Sequence, residues 1–199
     1  MQIKYAFLLL LFFIAAKGQS QESEQATEDV TKITFLNPGF SYEKSIGKKT
    51  TLQGHFFFKA TTSFEFFDPE YSTRYYIDPA LQLQYRYYYN YNKRQEKNKR
   101  TARNSMNYIS PTLHSFFSKS AIFFNEPEEE KRRLVTTLGA VWGLQRNGEK
   151  RFSFDFNIGF GYRFGTTTTV YSSSYSSKTI EGQLTTLGEL NLGFWLNRN

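Results

Sequence analysis

Cysteine is absent from all 199 residues. That absence excludes a disulfide framework, a thiolate metal site, a cysteine nucleophile and the lipidated cysteine of a bacterial lipoprotein. Histidine is nearly absent too. The 2 copies, His55 and His114, stand too far apart to offer metal-ligand spacing, and no cofactor motif accompanies them. No solenoid or propeller period is visible, and beyond residue 16 no apolar run approaches the roughly 20 residues of a spanning helix. The formal charge of +7 is modest and includes Lys4 and Lys17 near the start of the chain, so it carries no nucleic-acid signal. Against only 2 Met stand 21 Phe and 14 Tyr, a balance that favours β-structure because large rings fit a pleated surface. The length accommodates one domain, or one closed barrel of about eight strands.

The opening stretch MQIKYAFLLLLFFIAAKGQS sets Lys4 before an apolar run from Tyr5 to Ala16, with Ala16 and Gly18 at the small-residue spacing of signal-peptidase sites. The run is shorter than a spanning helix needs, so residues 1–18 read as a cleaved secretory signal rather than an anchor. Residues 19–32 are polar and acidic and read as a flexible leader, which leaves 33–199 as the folded domain. An exported chain without a later apolar helix can enter a membrane only with strands.

Strand periodicity is strong. In RFSFDFNIGFGYRFG (151–165) every even position from Phe152 to Phe164 is apolar, while the odd ones are Arg151, Ser153, Asp155, Asn157, Gly159, Gly161 and Arg163, with Gly165 closing the stretch. Similar alternation runs through 50–67, 77–91, 133–145 and 183–197, and less cleanly through 106–124. Leu187 and Trp195 are exceptions that fall on a polar side. The periodicity outlasts the average soluble strand of about 5–6 residues and matches the about 9–11 of a membrane-crossing one. Gly139, Gly143, Gly159 and Gly161 all fall on polar faces, as a narrow lumen requires; the solvated face of a soluble sandwich has no such crowding. Apolar faces are therefore expected to meet lipid and polar faces to line a lumen, with tyrosine runs such as YRYYYNY at the interface. Slipping the 151–165 strand by one residue would send Arg163 into hydrocarbon, at roughly 2–4 kcal/mol near the midplane. Open edges in lipid leave backbone groups unpaired, so the expected fold is all-β, a closed antiparallel transmembrane barrel.

Seven long segments appear if 31–46 is one strand. The apolar parity switches across Asn37-Pro38-Gly39, as a bulge or turn would produce, and splitting the stretch gives the even count of eight. Connectors are expected at 45–50, 67–73, 92–105, 125–133, 146–150 and 165–178, with Asn147-Gly148 the strongest hairpin signal. If the Ser/Thr/Tyr-rich 165–178 connector lies outside the cell, alternation puts the basic 92–105 connector in the periplasm.

Alternation sends Glu43, His55, Lys59, Glu65, Arg86, His114, Asp155, Arg163 and Glu189 inward. Acids and bases roughly balance, so the simplest account is an ion-paired plug filling a small barrel, each buried charge offset by a partner. A proton or solute path is the functional alternative. Catalytic residues are not assigned: Ser115 follows His114 directly and so faces the other way, and a G-x-S-x-G elbow is missing. The run KRQEKNKR with Arg103 reads as a solvated turn rather than a polyanion site, and EPEEEKRR as a solvated loop rather than a cation-mediated contact with lipopolysaccharide.

Three stretches, NPGFSYEKSIGKKTTLQG (37–54), LQYRYYYNYNKR (83–94) with NSMNYIS (104–110), and GAVWGLQR (139–146) followed by FDFNIGFGYRF (154–164), resemble the small, largely uncharacterised outer-membrane β-barrel proteins of Bacteroidota. The resemblance spans most of the mature chain. It implies a barrel fold and a Gram-negative outer membrane, and brings no catalytic residues with it.

The expectation is thus a small outer-membrane barrel with an envelope structural or surface-interaction role and a plugged lumen. A narrow channel for small solutes, a membrane-embedded lipid hydrolase and a soluble periplasmic sandwich are the alternatives. Neither enzyme activity, a cofactor, a metal nor a nucleic acid is expected. The expected partners are outer-membrane lipid, lipopolysaccharide and, during biogenesis, the barrel-assembly machinery.

Overall fold

The structure, a computed structural model, describes residues 26–64, 73–119, 131–172 and 175–197. The signal segment 1–18, Glu65 and most of the expected connectors at 67–73 and 125–133 lie outside the described residues. Eight strands follow one another: β1 (Val30–Leu36), β2 (Gly39–Gly47), β3 (Thr50–Phe64), β4 (Thr73–Tyr87), β5 (Asn107–Ser118), β6 (Arg133–Asn147), β7 (Phe152–Ser172) and β8 (Tyr175–Trp195). Each pairs antiparallel with its neighbour in sequence, and β8 returns to β1 through Lys32 opposite Trp195 and Ile33 opposite Phe194, so the sheet is a ring. The end carrying residues 26–29 and 196–197 is called the lower end below, and the opposite end the upper.

Asn37 and Pro38 settle the parity switch. Asn37 takes φ 55, Pro38 has no N–H for a ladder, and the Pro38 carbonyl accepts from Phe58 N at 2.9 Å. The pair is a turn between β1 and β2, which makes the eighth strand. The leader reading runs too far by three residues, because β1 starts at Val30 and buries Lys32.

Two connectors also differ from expectation. Residues 165–178 read as a loop on their Ser and Thr content, yet β7 and β8 run 21 residues each and pair as far as Ser172 opposite Tyr175. Threonine is β-branched, and with a partner strand alongside it favours extended backbone. Asn147-Gly148 does not form a two-residue turn: Asn147 stays in β6 opposite Ser153, Gly148 N bonds Phe152 O at 2.8 Å, and Arg151 carries the positive φ of 64. Asn147 is held inside because its side chain donates to Arg103 O and its backbone N to Ser105 Oγ at 2.9 Å. The 92–105 connector folds into a short helix α1 (Tyr91–Glu96) and a 3-10 turn (Ala102–Asn104), and the second of these packs inward.

The ring has reversed polarity. Phe56, Phe58, Leu81, Leu83, Leu138 and Tyr162 stand exposed on its outside, and Phe160 is 75% exposed. Inside, buried polar and charged side chains far outnumber buried apolar ones. Phenylalanines are therefore not sandwiched between stacked sheets. The register stacks inward residues into layers. Phe57, Ala80, Phe116 and Val135 are neighbours on one rung and form an apolar layer. On the rung below stand His55, Gln82, His114, Thr137 and Arg163.

The two parity exceptions point inward for local reasons. Gly139 and Gly161 oppose each other on β6 and β7, and a Cβ there would lie 2.7 and 3.1 Å from Leu187 Cδ1; the missing side chains make room for Leu187. Trp195 is buried with its Nε1 donating to Gly148 O at 2.8 Å and the Arg103 guanidinium 3.9 Å over its ring.

The ring closes only over part of its height. β1 meets β8 from Lys32 to Leu36, opposite Trp195 to Leu192, and β2 meets β3 no higher than Gly39 opposite Phe57. Above the 37–38 turn, β3 pairs only with β4 and β8 only with β7 among the described residues. A side opening therefore lies between β3 and β8, above the short β1–β2 hairpin.

Candidate functional site

Inward charges gather in two groups. Near the lower end, Lys32 of β1, Glu43 of β2, Arg86 of β4 and Asp155 of β7 converge from four strands, all of them buried. Arg86 Nη1 is 2.7 Å from Asp155 Oδ2 and 3.9 Å from Glu43, and Lys32 Nζ stands 3.7 Å from each carboxylate. Two bases thus meet two acids, which offsets the several kcal/mol that burying each ion costs. Neutral donors and acceptors fill the remaining positions. Tyr88 and Thr51 hydroxyls donate to Glu43 at 2.5 and 2.8 Å, and Tyr108 donates to Asp155 at 2.8 Å. Gln145 Oε1 accepts from Lys32 and Arg86 at 2.5 and 2.7 Å, while its Nε2 donates to Glu43 at 3.0 Å. The Arg86 guanidinium also stacks 4.1 Å over the Tyr108 ring.

This end is stoppered from below. Asn104 Nδ2 donates to Glu28 O at 2.8 Å and Glu28 N donates back to Asn104 Oδ1 at 2.9 Å, tying the 3-10 turn to the segment entering β1. Thr27 Oγ1 donates to Gly47 O at 2.8 Å. Tyr88, Met106, Tyr108 and Val141 pack into an apolar cluster against the ion group. Just below β1, Asp29 accepts from Ser45 N at 2.7 Å and from Tyr42 Oη at 2.8 Å. The Ser45 N–H, more than any other contact, holds its carboxyl below the ordinary aspartate value.

The second group lies higher. His55 Nδ1 stands 3.3 Å from Glu189 Oε1, and Glu189 also accepts from Gln82 and Asn191 at 2.5 Å each. His55 stacks on Phe57 at 4.4 Å, and His114 lies 5.8 Å from the same ring. Lys59 Nζ and the Arg163 guanidinium approach the Phe116 ring at 4.5 and 5.9 Å. Phe57, Lys59, Gln82, His114, Arg163 and Glu189 border a cavity of about 330 Å³ that reaches the side opening.

Of the nine inward residues read from the sequence, Glu43, Arg86 and Asp155 meet in the lower group, Lys59, His114, Arg163 and Glu189 line the upper cavity, and His55 stands beside Glu189. Glu65 lies outside the described residues. Sequence reasoning missed Lys32, Tyr88, Tyr108 and Gln145. The leader reading covers Lys32, although Lys32 shares parity with the inward Thr34, and Tyr88 shares parity with Arg86.

Thr34, His55 and Glu189 follow in the order hydroxyl, imidazole, carboxylate, with Thr34 Oγ1 3.3 Å from His55 Nε2. The hydroxyl, however, donates to Asn37 O at 2.7 Å. Its proton points away from the imidazole, so the trio lacks the base-activated hydroxyl that acyl transfer needs. No group of histidine and carboxylate side chains able to hold a metal occurs among the described residues. The chain matches no family model, no curated protein and no solved structure.

Proposed function

We propose that this chain is a small outer-membrane β-barrel protein with an envelope structural or surface-interaction role, exported by residues 1–18 and kept non-conducting by the lower ion group and its stopper. The reversed polarity of the ring carries this reading. Outward phenylalanines, leucines and tyrosines suit acyl chains, whereas a soluble protein rarely leaves so large an apolar surface in water. The resemblance to small barrels of Bacteroidota and the N-terminal signal pattern point the same way. In this reading the lower end faces the periplasm, lipid and lipopolysaccharide surround the ring, and the barrel-assembly machinery inserts it.

The closed lower end speaks against a through-channel: Lys32, Glu43, Arg86, Asp155 and Gln145 fill the cross-section with mutually bonded side chains. Envelope fractionation tests the address and shape together. The protein is expected to stay in the outer-membrane pellet through a carbonate wash and to migrate faster on gels when unboiled. Release by carbonate would refute the reading. In planar bilayers the purified protein is expected to give no ohmic steps.

A further inference from the structure

The upper cavity holds two cations and a set of unspent polar atoms, and it opens sideways. Glu189, the acid on its wall, is already engaged by His55, Gln82 and Asn191. Lys59 and Arg163, by contrast, share the Phe116 ring and have no carboxylate within ion-pair distance among the described residues. Around them, His114 Nε2, Asn157 Nδ2, Thr112 Oγ1 and Arg163 Nε are buried without a hydrogen-bond partner among the described residues. Buried polar atoms are normally paired. Here these four line one cavity, and Asn157 Nδ2 and Arg163 Nε are donors; Asp78, opposite Lys59 on β4, faces Arg132 at 3.8 Å instead.

The direction of the opening says what can enter. The longer strand of the β1–β2 hairpin has 9 residues; at ~3.3 Å per residue and a tilt of ~40° it rises ~23 Å, against an apolar band of ~25 Å. The hairpin tip therefore stops short of the outer boundary of the band, and exposed Leu184 and Ile180 stand higher on β8, so the opening faces the upper part of the apolar band. Leu36 and Leu190, both partly exposed, flank it. Exposed β3 and β8 edges at this depth need hydrogen-bond partners, which hydrocarbon lacks and a hydrated headgroup supplies.

Resting on the membrane reading above, we infer that this cavity binds the headgroup of a single-chain anionic amphiphile, entering sideways between β3 and β8. The oxyanion, a carboxylate or a phosphate monoester, sits between Lys59 and Arg163 with donors from His114 and Asn157. The chain leaves over Leu36 and Leu190 into the outer leaflet. A volume of about 330 Å³ is at the lower end of ligand pockets, which span about 300–1,000 Å³; it takes one headgroup and the first part of one chain.

The test is a fluorescence titration of the protein folded in nonionic detergent with cis-parinaric acid, followed by displacement. Saturable one-to-one binding is expected, reversed by oleate and by lysophosphatidic acid but not by millimolar inorganic phosphate. The Lys59→Gln/Arg163→Gln pair is expected to weaken binding at least about tenfold while keeping heat-modifiable migration. Gly188→Trp is the second variant: a Cβ there meets nothing within 4 Å, so the residue is tolerated, and it stands at the opening. It is expected to weaken the amphiphile with both cations intact. Binding that does not saturate, or that ignores both variants in a protein that still folds, overturns the inference. Displacement by inorganic phosphate alone overturns the lipid source. A protein released by carbonate fails the membrane reading instead, so the two failures are told apart.

Discussion

Arg86 and Asp155 face each other across the ring interior at 2.7 Å, one on β4 and the other on β7. Their contact joins strands that share no ladder. Around it, Lys32 and Glu43 complete a group whose members lose water together. Removing one partner therefore costs more than removing both. Arg86→Leu leaves Glu43 and Asp155 with one cation and is expected to lower stability by about 3–5 kcal/mol, whereas Arg86→Leu with Asp155→Leu recovers much of that loss. Urea midpoints read from heat-modifiable migration in detergent check this; equal losses for the single and double variants would contradict it.

Gly143 is small because Tyr108 lies over it. A Cβ at Gly143 would stand 2.6 Å from Tyr108 Oη, so Gly143→Val must push the ring off both Asp155 and the Arg86 guanidinium. The expected loss is about 1–3 kcal/mol, by the same urea assay. Gly188→Val, where a Cβ meets nothing within 4 Å, serves as the near-neutral control.

Asp29 makes a small acid-side contribution. Its folded carboxyl lies below the ordinary value of 3.8, chiefly because Ser45 N–H donates to it, so the folded chain takes up this proton less readily than the unfolded chain. The stabilisation is present above pH 3.8 and drains as pH falls through the lower folded value. Asp29→Asn is expected to flatten that part of the stability-against-pH curve. The effect is small because the group is mostly exposed.

The cysteine-free chain allows single labels at chosen faces. A fluorophore on Phe160→Cys is expected to be quenched by lipid-borne quenchers in vesicles, because that position is 75% exposed on the outer face. Gln84→Cys, which faces inward and is buried, is expected to resist labelling in the folded protein. Equal labelling of both would reverse the assignment of faces.

Alternation made the faces legible: Asp155 and Arg86 point inward because their neighbours in sequence point outward. Which charge meets which was not legible, since Arg86 and Asp155 lie 69 positions apart by their numbers and their contact is fixed by the strands between them. Lys32 escaped because an acidic, polar leader masked the start of β1. The threonines of 166–169 looked like a loop because composition cannot report that a partner strand runs alongside. The side opening follows from unequal strand lengths, 7 and 9 residues in β1 and β2 against 21 in β7 and β8, which only the register exposes.

The distribution of the lower charges along the chain bears on how the protein is made. Lys32, Glu43 and Arg86 all belong to the first half, and the acid that balances them, Asp155, arrives with the penultimate strand. A nascent chain lacking β7 carries one uncompensated positive charge among side chains destined for a dry interior. A β3–β4 hairpin threaded alone into a bilayer would strand Arg86 there, and a β7–β8 hairpin alone would strand Asp155. In the proposed membrane setting, the charge of the interior balances only when the β7–β8 hairpin brings its carboxylate.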